Sequence, residues 1–176
     1  AKELGLPATI GKEDTPAYKE KHRLSLEEAA RQLRYSFFCR VAAEMGASIV
    51  AVGHTADDHI ETVLLHILRG SGTRGLTGME GVSRYKSDGR ELLILRPRLK
   101  VSRRQTAACC VAVGVSPRLD SSNLSLSPLR NKVRLKLLPL LKEYNPQVEE
   151  ALGRVSRIVV DDIAYIDGEV ERYWDG

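Results

Sequence analysis

The sequence predicts an α/β protein built on a parallel sheet with flanking helices, extended at its C-terminus by further helix. Three observations carry that expectation. Short apolar strands alternate with longer segments of helical periodicity, the pattern of βα units. The segment Ser48–Val52 is short and mostly apolar, as in a strand covered on both faces. It runs through Gly53-His54 into a helix that opens with two aspartates, and ligand sites in open parallel sheets lie at the carboxyl ends of strands.

The elements follow in order. Leu6–Ile10 reads as a short extended piece, and Lys12–Arg23, charged and containing Pro16, as a loop. Ser25-Leu26-Glu27-Glu28 is a capping-box signature that starts a helix, with Leu26, Ala29, Ala30, Leu33, Phe37 and Val41 at helical spacing and Gly46 as the residue that ends it. After the strand at Ser48–Val52, Thr55 caps a second helix, whose apolar stripe is Ile60, Val63, Leu64, Ile67 and Leu68. Leu92–Leu95 is a further strand, stopped by Arg96-Pro97. Val101–Val113 is a helix ended at Gly114, Arg118–Leu126 a polar loop, and Pro128–Leu141 a basic helix with Pro128 in its first turn. Asn145-Pro146 precedes a last long helix, in which Val148, Leu152, Val155, Val159, Ile163, Ile166, Val170 and Tyr173 step by three or four. Such a seam would serve a further domain or a partner, a second copy included.

Composition narrows the function. No apolar run is long enough to span a bilayer, and no secretory signal is visible. Cys39, Cys109 and Cys110 form neither a CxxC nor a disulfide framework, which favours a reducing, cytoplasmic setting. From Arg84 to Lys136 there are 13 Lys/Arg against 3 Asp/Glu, whereas Leu137 to the end holds 4 against 9. So basic a stretch suits a polyanion such as nucleic acid, and equally a solvated surface. Tyr85 is its one aromatic residue, so a base-stacking platform is not supported.

Three clusters could carry chemistry. Glu61 lies one turn beyond both Asp57 and Asp58, close to His54. Acids so placed could hold a cation such as Mg²⁺, recognise an ammonium group, or simply cap the helix and offset its dipole. Arg69-Gly70-Ser71-Gly72-Thr73-Arg74-Gly75 could bring backbone amides and guanidinium groups to an anion, or be a flexible loop. Arg130-Asn131-Lys132-Val133-Arg134 puts two arginines on one helix face, suited to phosphate or to water. Arg31 and Arg34 lie three apart on the first helix. A metalloprotease-type zinc site is disfavoured, since His59 and His66 are too far apart for the i, i+4 pattern, and no serine nucleophile elbow is present.

GHTADDHIET, RGSGTRGLTGM, DSSN at Asp120–Asn123, RNKVRLKLLP at Arg130–Pro139 and the helix EAARQLRY at Glu28–Tyr35 together resemble the tRNA(Ile)-lysidine synthetase family, over most of residues 6–145. The resemblance implies a Rossmann-like fold of the N-type ATP pyrophosphatase (adenine nucleotide alpha hydrolase) kind. It implies ATP and Mg²⁺, a tRNA(Ile) with a CAU anticodon and free L-lysine. Asp58 and Glu61 resemble the acids that hold lysine's amino groups. His54 and Asp57 match the site motif, with Asp57 organising nucleotide or Mg²⁺, and Arg31 matches an active-site arginine. Arg130, Asn131 and Arg134 would lie near nucleotide or tRNA, and Arg69, Gly70, Gly72 and Arg74 would flank the cytidine. His59 stands where the family often has glutamine. The family's SGGxDS phosphate loop is not in these 176 residues, and the first residue is Ala1. The expectation is therefore a fragment, inactive in adenylation alone, with a partial catalytic domain over 1–127 and a helical extension over 128–176. The rivals are a tRNA thiolase of the same superfamily, which would carry a CxxC near Cys39, and a non-catalytic RNA-binding module, which the acids at Asp57, Asp58 and Glu61 disfavour.

Overall fold

Local capping chemistry sets most element boundaries in the computed structural model, which describes residues 5–87, 89–117 and 129–174. The segments DSSN and Pro128, and the expected loop at Arg118–Leu126, lie outside the described residues. The chain divides into two compact units: residues 1–52 with 82–95, and residues 53–81 with 96–176. The helices beyond residue 128 share a core with the helix that follows Thr55.

In the first unit, α1 (Thr15–His22) stands where a loop was expected. Asp14 caps it by accepting from Ala17 N at 3.0 Å, and Pro16 falls in the first turn, where its missing N–H is harmless. α2 (Leu26–Glu44) starts at Ser25, whose hydroxyl accepts from Glu28 N at 3.1 Å. It ends at Gly46 (φ 66), with Ala47 N bonded to Ala42 O and Gly46 N to Ala43 O, a Schellman motif. β1 (Ile49–Ala51) pairs in parallel with β3 (Arg90–Leu95), and β3 pairs antiparallel with β2 (Val82–Ser87), giving the order β1-β3-β2. The sheet is thus mixed rather than all parallel. β2 was not foreseen, although Val82–Ser87 followed by Asp88-Gly89 is a hairpin signature. α2 covers one face of this sheet: Tyr35, Phe38 and Ala42 pack on Val50, Tyr85, Leu92 and Ile94.

The second unit is helical. It comprises α3 (Ala56–Leu68), the short α4 (Thr73–Leu76), α5 (Arg103–Ala112), α6 (Leu129–Lys132), α7 (Leu138–Tyr144) and α8 (Val148–Trp174). Between α6 and α7 the chain makes a π-helical turn over Val133–Leu137. Pro139 sits in the first turn of α7; it cannot donate to Leu135 O, and its ring crowds that carbonyl, so the widened turn has a local cause. The core joins Ile60, Leu64 and Leu65 of α3 to Val133 and Leu138, with Leu137, Leu141 and Leu152 packed against it. Ile67 and Leu68, expected in the buried stripe, are exposed at the end of α3, while Leu65 is buried in their place.

α8 packs on α3 and α4. Of the expected seam, Leu152 packs inward on the core. Val155, Ile166, Val170 and Tyr173 are exposed, whereas Ser156 is buried and its hydroxyl donates to Thr77 O at 2.9 Å. Gly153 lies on the same side, where a Cβ would make an ordinary contact with Ile60 at 3.7 Å. Hydrophobic periodicity does not register a buried serine. No described helix is long and apolar enough to cross a membrane.

Candidate active site

Thr55 opens α3, and Asp58, at the third helical position, folds back onto it. Asp58 Oδ2 accepts from both Thr55 N and Thr55 Oγ1 at 2.8 Å. This satisfies a backbone donor at the helix start and fixes the carboxylate. Asp58 Oδ1 is turned toward three guanidinium groups: Arg103 at 3.2 Å, Arg134 at 3.7 Å and Arg130 at 3.9 Å. One turn on, the Glu61 side chain has no exposed surface. Arg134 holds it in bidentate fashion, Nε to Oε1 at 2.7 Å and Nη2 to Oε2 at 2.9 Å. Arg130 Nε donates to Oε2 at 2.9 Å and Arg103 Nη2 to Oε1 at 3.2 Å. Asp57 Oδ2 accepts from the backbone N of Arg103 at 2.6 Å. Two carboxylates, Asp58 and Glu61, therefore meet three guanidinium groups at the N-terminus of α3, with Asp57 beside them on the backbone of Arg103.

Burial raises the carboxyl pKa of Asp58, but the Thr55 N–H and hydroxyl, with the charges of Arg103 and Arg130, more than offset it, so the net shift is downward. Glu61 behaves alike: burial raises its pKa, and the hydrogen bonds and charges of Arg134 and Arg130 bring it below its usual value. Arg134 is raised in turn, chiefly by its hydrogen bond to Glu61. Carboxyls depressed on folding contribute stability that is present above their unfolded pKa values, near 3.8 and 4.5, and is lost as pH falls through the folded ones. The unfolding midpoint in urea is therefore expected to fall as pH drops below about 5. A midpoint that stays constant to pH 3 would contradict this.

The other residues singled out from the sequence fall elsewhere. His54 precedes α3 and accepts at Nδ1 from Arg96 Nε at 3.3 Å. Arg96 also donates to Glu80 O, and Arg98 to Gly53 O, each at 2.8 Å, so the Arg-Pro-Arg segment clamps the backbone on either side of α3 and α4. Asn131 is buried on α6. Arg69 lies at the far end of α3, about 12–18 Å along its axis from the acids, with Gly70, Gly72 and Arg74 in the turn and short helix beyond. There Gly70 (φ 70) closes a Schellman motif, with Gly70 N on Ile67 O and Ser71 N on His66 O. Gly75 leaves no room for a side chain, since a Cβ would stand 2.4 Å from Ser71 Cβ. Arg74 pairs with Asp167 at 2.6 Å. Gly70 thus has a conformational role and Gly75 a packing one, and the loop is not brought to the acid cluster. Arg31, in the other unit, lies over the Tyr35 ring at 4.8 Å. His59 accepts from Met79 N at 3.1 Å under Gly78 (φ 69), where a Cβ would meet the ring at 2.6 Å. Burial first, and the charge of Arg157 second, lower its pKa, consistent with a neutral packing residue.

Among the described residues no group of three or more His, Cys, Asp or Glu converges on a metal position. Mg²⁺ commonly uses only one or two carboxylates together with substrate phosphates. Asp57 fits that part, as one ligand of an ion carried in with a nucleotide, and not a protein cage.

Arg103 was not foreseen. Its signal was present: Ser102-Arg103-Arg104-Gln105 is a capping box, formed at 3.1 and 2.8 Å, that puts two arginines and no acid into a helix's first turn. Cations there oppose the helix dipole, so such a start calls for acids from elsewhere, and Asp57, Asp58 and Glu61 supply them.

The PP-loop domain family matches residues 1–141. The tRNA(Ile)-lysidine synthase of Dehalococcoides mccartyi (strain CBDB1) is 50% identical over 168 residues, covering 95% of this chain and 36% of that protein. The tRNA(Ile)-lysidine synthase of Clostridioides difficile (strain 630) is 37% identical over 170 residues, covering 96% and 35%. The chain thus spans about a third of the length of these relatives. Among solved structures, the U34-tRNA thiolase NcsA from Methanococcus maripaludis, with its 4Fe-4S cluster, superposes with a TM-score of 0.54 at 16% identity, over 74% of this chain and 42% of that one. That likeness is one of fold alone.

Proposed function

Because the chain belongs to the PP-loop domain family, and lysidine synthases are similar to it over nearly its whole length, we propose that its full-length protein is an ATP-dependent tRNA(Ile)-lysidine synthase. The reaction has two steps. The C2 carbonyl oxygen of the wobble cytidine, in a tRNA with a CAU anticodon, attacks the α-phosphorus of ATP and pyrophosphate leaves. The side-chain amine of free L-lysine then attacks C2, the C2–O bond breaks, AMP leaves, and the amine's proton passes to solvent or a nearby base.

The observation that carries the reading is the acid pair at the start of α3, with Asp58 Oδ1 directed at cations and partly open to solvent, its side chain 18% exposed. A fixed carboxylate aimed at a cationic nitrogen is what recognition of a lysine amino group requires. Asp58 makes that contact. Glu61 has no surface for a substrate and instead holds Arg130 and Arg134 in place, a positioning part that differs from the direct contact expected from the sequence. Arg130 and Arg134, with Asn131 beside them, offset negative charge on the nucleotide or the tRNA. Arg31 serves the nucleotide, Asp57 its Mg²⁺, and His54 the reacting cytidine. Arg69, Gly70, Gly72 and Arg74 meet the tRNA backbone at a distance from the chemistry. Mg²⁺ supplies charge neutralisation on the phosphates.

Lysine-dependent AMP release from ATP and a CAU-anticodon tRNA, by the full-length protein, tests the proposal. Release that requires a sulfur donor instead, or none with lysine, would overturn it.

A further inference from the structure

The three guanidinium groups on the acid pair are not equivalent. Arg130 and Arg134 keep 24% and 21% of their side chains exposed and grip Glu61 at 2.7 to 2.9 Å. Arg103 is 42% exposed and touches the pair through a single nitrogen, Nη2, at 3.2 Å from Asp58 Oδ1 and 3.2 Å from Glu61 Oε1. Its backbone is fixed independently: its N–H is held by Asp57 at 2.6 Å, and the Ser102–Gln105 box pins the helix start. The side chain at the first position of α5 can therefore turn away without disturbing the helix.

Charge balance sharpens the difference. Asp58 and Glu61 face three guanidinium groups, and the charge of Asp57, which acts on Arg134 from beside them, brings the local sum to zero. A further ammonium group on Asp58 would add an uncompensated charge beside three others, whereas exchange of one cation for another leaves the balance unchanged. Arg103 is the cation with the longest contact to Glu61 and the most solvent around it, and its Nη2, the guanidinium nitrogen nearest Asp58 Oδ1, stands on the edge shared by the two carboxylates.

Resting on the lysine reading above, we propose that Arg103 occupies the lysine amino-group subsite when lysine is absent and must swing out for lysine to bind. Arg103 is then a positioning residue that sets the threshold lysine concentration and screens weaker cations. A site occupied by its own side chain about nine-tenths of the time binds ligand about tenfold more weakly than the open site. Removing the charge with R103Q is expected to lower the KM for lysine by roughly that factor, about three- to tenfold, with little change in kcat or tRNA affinity. R103K returns a cation to the position and is expected to bring KM back toward the wild-type value.

Calorimetric titration of the full-length protein with L-lysine, alongside steady-state AMP release, reads both quantities. Tighter lysine binding in R103Q, reversed in R103K, supports the exchange. Lysine that binds the wild type while R103Q binds it equally or more weakly overturns this proposal and leaves the lysine reading standing. Failure of the wild type to bind lysine overturns both. A second measurement does not depend on R103Q folding: in spectra of ¹⁵N-arginine-labelled wild-type protein, the Arg103 guanidinium signal, assigned through R103K, should become solvent-like on adding lysine. A signal that does not move overturns the exchange.

Discussion

Replacing Glu61 with glutamine is expected to destabilise the protein by about 3 kcal/mol, the largest effect of any single change at the site. Breaking a buried ion pair by removing one partner costs about 3–5 kcal/mol, because the charge left behind has lost both its partner and its water. Glu61 has no exposed side-chain surface, and both of its oxygens are engaged by arginine. Glutamine would offer one acceptor oxygen and point an NH₂ at a guanidinium group. The lower end of the range applies because Arg130 and Arg134 keep 24% and 21% of their side chains in water and can partly resolvate. The check is a urea titration of the E61Q protein against wild type. In a domain of this size the loss corresponds to a fall in Tm of roughly 6–12 °C. A change below about 1 kcal/mol would show that the arginines are not held by Glu61 in solution.

Asp58 is expected to separate stability from function. In D58N the side-chain oxygen can still accept from Thr55 N, so the loss is that of part of a cap, about 1 kcal/mol. The charge directed at the cation is gone, however, and a hydrogen bond to a charged group is worth about 1.5–3 kcal/mol. The KM for lysine should therefore rise by about 10- to 150-fold, while tRNA affinity stays within about threefold. Steady-state kinetics in lysine, beside a filter-binding titration of tRNA at fixed salt, decide it. Equal losses in both would place Asp58 in the tRNA interface rather than at the amino group. The expected sign is opposite to that of R103Q, although both residues touch at 3.2 Å. A general weakening of the fold would push both variants the same way.

The two variants also show what the sequence could and could not convey. Signals confined to a few neighbouring residues were legible: the caps at Ser25 and Thr55, the helix stops at Gly46 and Gly114, and the acids of the first turn of α3. The misread elements were also local but carried conflicting cues. Pro16 suggested a loop although proline suits a first helical turn, and the hairpin signature of Val82–Ser87 with Asp88-Gly89 stands in a charged stretch. What escaped was long range. The arginines that neutralise Glu61 come from positions 42, 69 and 73 residues away, and nothing in the local pattern states that an acid near a helix start is fully buried. On α8 the buried Ser156 escaped for a different reason: apolar periodicity, which found its neighbour Leu152 on the core, does not count a serine.

The widened turn at Val133–Leu137 fixes the angular phase of everything that follows it. Such a turn holds one residue more than regular α-helix, and each residue advances the chain by about 100°. Arg130 and Arg134 lie at its leading edge, Leu138 just beyond it. Deleting one residue between Leu135 and Leu137 would let the turn revert to α-helix, and the narrower turn would offset most of the rotation that a residue lost from a regular helix imposes, so Leu138 and its successors would stay close to their present phase. The widened turn is thus the place in this segment where a change of length is absorbed at least cost, and a one-residue deletion there is expected to do less harm than the same deletion inside α3.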